Sequence, residues 1–437
     1  MRTRTIGLAL FACLSIIALG CTPAATQAPS RAASAAASQA ASDEPSAAAS
    51  EEPTDAASDE PSDEPSDEPS DAASDEPSDA ASDEPSDSPS DQSSDEPSDG
   101  ASGSPSAGLR IGVVTDVGML EDRSFNQFSN QGAVDAAMEL GGEHRVIITE
   151  DISDYAGNIQ TFIDDGFDVV VTIGFLIGTD TLDAAKANPD VSFIGVDQGI
   201  CIDEAGNADA TFTCAGDAAT LVPNYQGIVF AEAQPGYLAG LVAGTITETN
   251  VIGAVAGTNV PAVVAYIEGY TNGATSVNPD IEVLNQEANP DPAIGFNDPT
   301  RGAQIADEML AADADVIFQV AGGTGEGVLE TACAAGIYGI GVDVDQEMSL
   351  GATNPAAAEC IVTSAEKKLQ QTVSTVILSV ADGSFEPGEV RYDASSEPPA
   401  IGLSPFTNFP ELLTEELQTA LDEATAGFVD GSLDPAP

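Results

Sequence analysis

Short runs rich in β-branched residues, each followed by a longer stretch of helical period, limit what this chain can fold into. RIGVVT, RVIIT, DVVVTIG, VSFIGVD and GIVFA form one series, and VIGAVAG, IEVLNQ, DVIFQVAG and YGIGVDV form a second. Such alternation predicts an α/β chain, because parallel strands need a crossover long enough to bring the chain back to the same end of the sheet. Helices are expected to start near Ser124, Tyr155 and Thr179. Two series in tandem predict two Rossmann-like αβ lobes. The helix QPGYLAGLVAGTI, from Gln234, would lead from the first to the second, and a helix read over SAEKKLQQTVSTVILSVADG, after Thr363, would lead back. A chain that crosses between lobes more than once makes a multi-segment hinge, and a hinge between two sheets makes a cleft. We therefore expect residues 109–231 and 365–390 in an N-terminal lobe, and 232–364 and 391–437 in a C-terminal lobe.

The residues before these series cannot fold this way. From Thr22 to Gly108 the chain is mostly Ser, Ala, Asp, Glu and Pro, with SDEP recurring and no Phe, Tyr, Ile, Leu or Val. A segment with nothing to bury is expected to stay disordered. Its reach, on the order of 270 Å in polyproline II, reads as a spacer over 22–108. Ahead of it, MRTRTIGLALFACLSIIALGC places arginines at 2 and 4, then an apolar stretch, then small residues before Cys21, the layout of an export signal over 1–21. Ala18-Leu19-Gly20-Cys21 resembles a lipobox. Cys21 is therefore expected to be lipidated and to anchor the protein on the extracytoplasmic face of the cell membrane, with ordinary signal cleavage near Ala18 as the alternative. No second run of ~20 apolar residues follows.

The part expected to fold is very acidic, carrying about −43 of the formal net charge of −62. That field repels nucleic acid and anionic membranes, so neither is expected as a partner, and it disfavours a free polyanion such as a nucleotide as ligand. Outside the signal and Cys21 the cysteines are Cys201, Cys214, Cys333 and Cys360, an even number that suggests two disulfides in an exported protein. Pairing Cys201 with Cys214 would staple the loop CIDEAGNADATFTC, and Cys333 with Cys360 would close a segment of the C-terminal lobe. No metal site is expected, since these spacings are not those of zinc and the one histidine, His144, is far away in sequence.

Polar and glycine-rich residues gather where strands end. Thr115 and Asp116, TIGF at 172–175, GVDQ at 195–198, AGGTGEG at 321–327 and GVDVDQ at 341–346 all fall at carboxyl ends, where open α/β sheets hold ligands. Strand alternation would put Asp343 and Asp345 on one side. AGGTGEG lacks the lysine and hydroxyl of a phosphate loop and adds Glu326, so backbone contact to a neutral ligand is the expectation. DVDQE lacks the central glycine and distal glutamate of a calcium loop. Catalysis has little footing without a placed histidine; Asp116 or Asp122 opposite Asp343 leaves a glycoside or nucleoside hydrolase as the alternative activity. The chain has no tryptophan, so a planar ligand must stack on Phe or Tyr, and Phe125 beside Asn126 is the candidate.

TDVGMLEDRSFNQ, TIGF, FAEAQPGYLAG, VPAVVAYIEGYTNGA, FNDPTRG, DVIFQVAGGTGEGV, GIGVDVDQ and TSAEK come in the order and spacing of a known family. From about Arg110 to Leu403 the chain resembles the basic membrane protein (BMP) family of substrate-binding lipoproteins, whose best understood members are purine nucleoside receptors of ABC transporters. The resemblance implies a type I periplasmic-binding-protein fold, a monomer with no cofactor and no enzymatic step, that takes a nucleoside, a purine nucleoside first, to an ABC permease. A sugar, a signal molecule or another small metabolite is the alternative ligand. Carried over by position, the resemblance implies Asp116 and Asn126 as polar contacts and Phe125 as the stacking face. Asp197 would pair with the base edge, and Asp343 and Lys367 would hold the ribose hydroxyls. Gly174, Phe175, Gly322 and Gly323 would line the pocket, with Phe318 as a second stacking face. Two departures stand beside the base end: Met119, where a second glycine is frequent, and the cysteine-bounded loop after Asp197.

Overall fold

The computed structural model describes residues 108–437. The export signal, the lipidation site at Cys21 and the acidic tract ahead of Gly108 lie outside the described residues. The chain begins with β1 (Arg110–Val117), α1 (Phe125–Leu140), β2 (Glu143–Thr149), α2 (Tyr155–Asp164) and β3 (Val169–Ile173). It continues through α3 (Gly178–Ala187), β4 (Ser192–Val196), α4 (Ala218–Leu221) and β5 (Tyr225–Phe230). After α5 (Ala233–Ile246) the pattern restarts with β6 (Val251–Ala256), α6 (Pro261–Val277), β7 (Glu282–Glu287), α7 (Pro292–Gly295) and α8 (Pro299–Leu310). Next come β8 (Val316–Val320), α9 (Gly322–Ala335), β9 (Tyr338–Asp343), α10 (Gln346–Gly351), α11 (Pro355–Ala358) and β10 (Ile361–Lys367). The described chain ends with α12 (Leu369–Asp382), β11 (Gly388–Tyr392), β12 (Ile401–Leu403) and α13 (Glu415–Asp430).

These strands make two sheets of the same winding, β11-β5-β4-β3-β1-β2 and β12-β10-β9-β8-β6-β7. All pairs are parallel except β10 with β12. The fold is thus the two-lobed α/β architecture of type I periplasmic-binding proteins. The chain passes between the sheets after β5, after β10 and between β11 and β12, because β11 returns to pair with β5 while β12 pairs with β10. Strands such as VVVTI and VIFQV are buried on both faces, as parallel strands sandwiched by helices must be.

Helix α5 carries the first crossing into the second lobe. It is apolar on every side and buried from Ala233 to Ala243. It lies against α6 with backbones nearly touching: a Cβ on Gly240 would come within 2.1 Å of the Tyr270 carbonyl oxygen, and one on Gly273 within 2.0 Å of that of Tyr237. Only glycine permits this approach.

Two expectations fail here. The stretch after Thr363 does not begin the returning helix: Ile361–Lys367 is strand β10, and the helix starts at Leu369. IVTSA is buried between β9 and β12, and burial with β-branched residues outweighs the helical period read from SAEKK. Asp343 and Asp345 do not share a strand face either. The strand stops at Asp343, whose φ is 66°, and Asp345 instead caps α10 by accepting a hydrogen bond from the Met348 backbone N–H.

Candidate ligand-binding site

The carboxyl ends of both sheets face one another across a cavity lined by residues of both lobes. From the first lobe it is lined by Asp116 after β1, Phe125 and Asn126 on α1, Gly174 and Phe175 after β3, and Asp197 after β4. The second lobe contributes Tyr266 on α6, Phe296 and Asn297 after α7, Gly322 and Gly323 at the start of α9, and Asp343. Lys367, at the end of β10, lies where the chain crosses back.

The β1–α1 connection positions its residues through one buried acid. Asp122 accepts hydrogen bonds from the backbone N–H groups of Ser124, Asn126 and Gln127, closing the start of α1. This fixes Phe125 and Asn126 at the cavity wall. Asp116 is held by the Tyr155 hydroxyl and by the Val117 N–H, which both donate to it. Burial pushes its carboxyl up to about 6 against the pull of those donors. Gly174, at φ 102°, leaves the space the acid occupies, since a Cβ there would fall 2.1 Å from Asp116 Oδ2.

The repeat of the two lobes brings Asp197 and Asp343 to equivalent positions. They end the corresponding strands β4 and β9 in GVDQ and GVDVDQ, and both adopt left-handed backbone, φ 57° and 66°. A non-glycine residue in that region is held there by its surroundings. Both carboxylates turn to one ammonium: Lys367 Nζ is 2.5 Å from Asp197 Oδ2 and 3.6 Å from Asp343 Oδ1. A third acid, Glu232 Oε1, lies 3.6 Å from the same nitrogen. The rings of Phe125, Phe230 and Tyr266 stand 4.8, 5.6 and 5.7 Å from it. Burial pulls the Lys367 pKa down, yet the three carboxylates together carry it above its ordinary value. Burial raises Asp197, opposed by Lys367.

Of the buried side-chain atoms without a partner among the described residues, two are acceptors at the cavity, Asp197 Oδ1 and Asn126 Oδ1. Across its mouth the lobes are bridged: Ser124 Oγ donates to Asp343 Oδ2 (2.8 Å), Ser349 Oγ to the Arg123 carbonyl (2.8 Å), and Arg123 Nε to Thr353 Oγ1 (3.2 Å).

The candidates from sequence therefore converge, with one correction of placement. Phe318 is fully buried inside β8, packed on Tyr266 and Tyr270 at ring distances of 6.1 and 5.0 Å, and does not line the cavity; it belongs to the core because its strand is covered on both faces. Phe296 and Tyr266 are the aromatic rings of the second lobe that do. Asp197, expected at a base edge, is paired through Oδ2 with Lys367 on the same cluster as Asp343. Sequence reasoning passed over Tyr266, Phe296, Asn297 and Glu232, although VPAVVAYIEGYTNGA, FNDPTRG and FAEAQ had each drawn notice. His144 lies in β2, its Nε2 paired with Asn130 Oδ1 at 2.9 Å, away from the cavity. In the structure Cys201 is joined to Cys214 and Cys333 to Cys360.

Two hinged αβ lobes closing polar strand ends over one cavity define a solute-binding protein of the ABC transporter type. Solved structures agree on the fold: an ABC transporter solute-binding protein from Aeropyrum pernix K1 superimposes with a TM-score of 0.62 at 22% identity, covering 75% of this chain and 92% of that one. One from Conexibacter woesei DSM 14684 gives 0.57 at 23% identity, covering 75% and 98%. A family profile described as "Bmp: ABC transporter substrate-binding protein PnrA-like" matches residues 110–417, and the chain belongs to that family. It is 29% identical over 341 residues to the ABC transporter nucleoside-binding protein BmpA of Lactococcus lactis subsp. cremoris, covering 74% of this chain and 88% of the relative. It is 28% identical over 337 residues to a CD4+ T-cell-stimulating antigen of Listeria monocytogenes, covering 74% and 87%. The protein is thus an extracytoplasmic binding component of a transporter and not an enzyme. Among the described residues no helix is long and apolar enough to cross a membrane.

Proposed function

We propose that the cleft captures a purine nucleoside and delivers it unaltered to an ABC permease, from a lipid anchor at Cys21. The observation that carries this reading is the chemistry of the cavity. Aromatic rings from both lobes, Phe125 and Phe296, line the same space as carboxylates gathered on one ammonium. A flat base can stack on such rings. Hydroxyl groups suit the other end, where Asp197 Oδ1 is buried with no donor and Asp343 can accept two hydrogen bonds beside Lys367. Asn126 Oδ1 would take a donor from the base. The name of the Lactococcus relative points the same way.

Among the described residues a phosphate would meet no free cation at the cavity. Lys367 is committed to three acids, Lys368 to Glu366 at 2.5 Å, and Arg123 to Thr353 with Glu121 at 3.8 Å. Inosine or guanosine at a hundred times its dissociation constant should therefore stabilise the protein by about 2.7 kcal/mol, a rise of a few degrees in melting temperature. The corresponding monophosphates should leave the melt unmoved. Equal stabilisation by the monophosphates in a thermal-shift assay would overturn the preference for uncharged ligands.

A further inference from the structure

The ion cluster at the cavity floor contains one acid that the proposed ligand contacts do not use. Glu232 lies between β5 and α5, at the first crossing of the hinge, and Lys367 ends β10, at the second. The cation and its third carboxylate are therefore both hinge residues. Asp197 comes from the first lobe and Asp343 from the second. Glu232 is almost fully buried and does not line the cavity. Relative rotation of the lobes must change the Asp197–Lys367 distance most, since that contact joins residues paired in different sheets. The Asp343–Lys367 contact lies within one sheet and the Glu232–Lys367 contact joins two crossings of the hinge, so both should change less.

This arrangement places three carboxylates with largely buried side chains around one ammonium. Like charges at such range in a low dielectric cannot all remain ionised, and the acid with the fewest stabilising donors gives way. Asp197 has the short contact with Lys367, and Asp343 accepts from Ser124 Oγ. Glu232 has the longer 3.6 Å approach to the ammonium and a hydrogen bond from its own backbone N–H. The titratable groups facing it are Lys367 from β10, Asp197 from the end of β4, Asp343 from the end of β9, and Tyr266 from α6, whose hydroxyl donates to the Ala365 carbonyl.

We propose that Glu232 is the positioning residue of the hinge: it holds the Lys367 ammonium when the lobes part, and takes one proton from solvent when closure brings Asp197 onto the same ammonium. The balance is one proton bound per closure, with no bond made or broken elsewhere. Burial, opposed by Lys367 and assisted by Asp197, pushes the Glu232 carboxyl up to about 8 in the closed arrangement, in keeping with this. The sign follows. A group whose pKa is raised on closing favours the closed state below its open-state value, and that preference is lost as pH rises to about 8. Between the open-state value and about 8, closure should weaken as pH rises, by at most about tenfold per pH unit.

The inference needs the hinged cleft but not the identity of the ligand, so its test has a ligand-free arm. A dye pair attached to the two lobes of the full chain reports their separation by energy transfer between pH 6 and 8.5. The wild type should close progressively as pH falls, Glu232→Gln should lose at least half of that response, and Glu232→Asp, which still titrates, should recover it. A second arm measures inosine binding by calorimetry at pH 7.5 in phosphate and in Tris, whose ionisation heats differ. Wild type should take up about one proton per inosine bound, and Glu232→Gln less than half as much. A wild-type lobe separation independent of pH, or a Glu232→Gln response equal to wild type in the dye arm, overturns the proposal. Absence of inosine binding alongside a normal dye response would count against the nucleoside reading and leave the hinge role supported.

Discussion

Replacing Lys367 by methionine should lower the stability of the folded lobes by about 3–5 kcal/mol and abolish ligand binding. The ammonium is buried with Asp197 at 2.5 Å and with Asp343 and Glu232 at 3.6 Å, so its removal leaves three acids facing one another without a counter-charge. Most of the loss is the penalty of stranding those charges and not the net worth of the ion pairs. The pH dependence distinguishes this from a packing defect. In the variant, Asp197 and Glu232 lose the partner that holds their pKa values down, so these values rise further above those of the unfolded chain. Stability held by such groups is present below the unfolded pKa and is lost as pH rises through the folded one. Urea unfolding should therefore show the deficit shrinking from pH 8 towards pH 5. Adding Glu232→Gln should recover part of it, because one acid fewer is stranded. A deficit of equal size at both pH values would mean the cation acts only through the rings it packs against.

Asp343→Asn is expected to weaken nucleoside binding roughly 30-fold or more, since losing one partner of a buried, hydrogen-bonded charge contact costs about 2–5 kcal/mol. Asparagine suits the test because it fills the same space and tolerates the left-handed backbone that Asp343 adopts at φ 66°. Folding should survive, and a melting temperature within a few degrees of wild type would establish that. The contact from Ser124 Oγ, at 2.8 Å, crosses between lobes, and Ser124→Ala should cost only about 0.5–1.5 kcal/mol of it. A titration in which Asp343→Asn binds inosine as tightly as wild type would remove the carboxylate from the ligand site.

The two-lobed α/β architecture was readable because runs such as DVVVTIG and DVIFQVAG leave no alternative to buried parallel strands. The order of strands within each sheet was not, and β10 was misread because its last residues, Glu366 and Lys367, face neighbours that periodicity cannot anticipate. Strand-end residues were legible for the same reason the fold was: Asp116, Gly174, Asp197 and Asp343 follow strands whose ends are fixed by their apolar cores. What lay between lobes was harder. Phe318 looked like a cavity ring because its strand ends at the cleft, yet it points into the core. Phe296 follows the four-residue α7, too short for any period to place. Glu232 could not be tied to Lys367, since the residues lie in different crossings of a hinge whose geometry exists only in three dimensions.

If one cleft grips an uncharged, flat, hydroxyl-bearing molecule between rings and acids, a crystal structure of the full chain grown with inosine should show it there. The base should lie against Phe125, the ribose hydroxyls on Asp343 and Lys367, and the glycosidic bond should be intact. Inosine bound outside the cleft, or lying in it with its sugar turned away from those two residues, would contradict this reading.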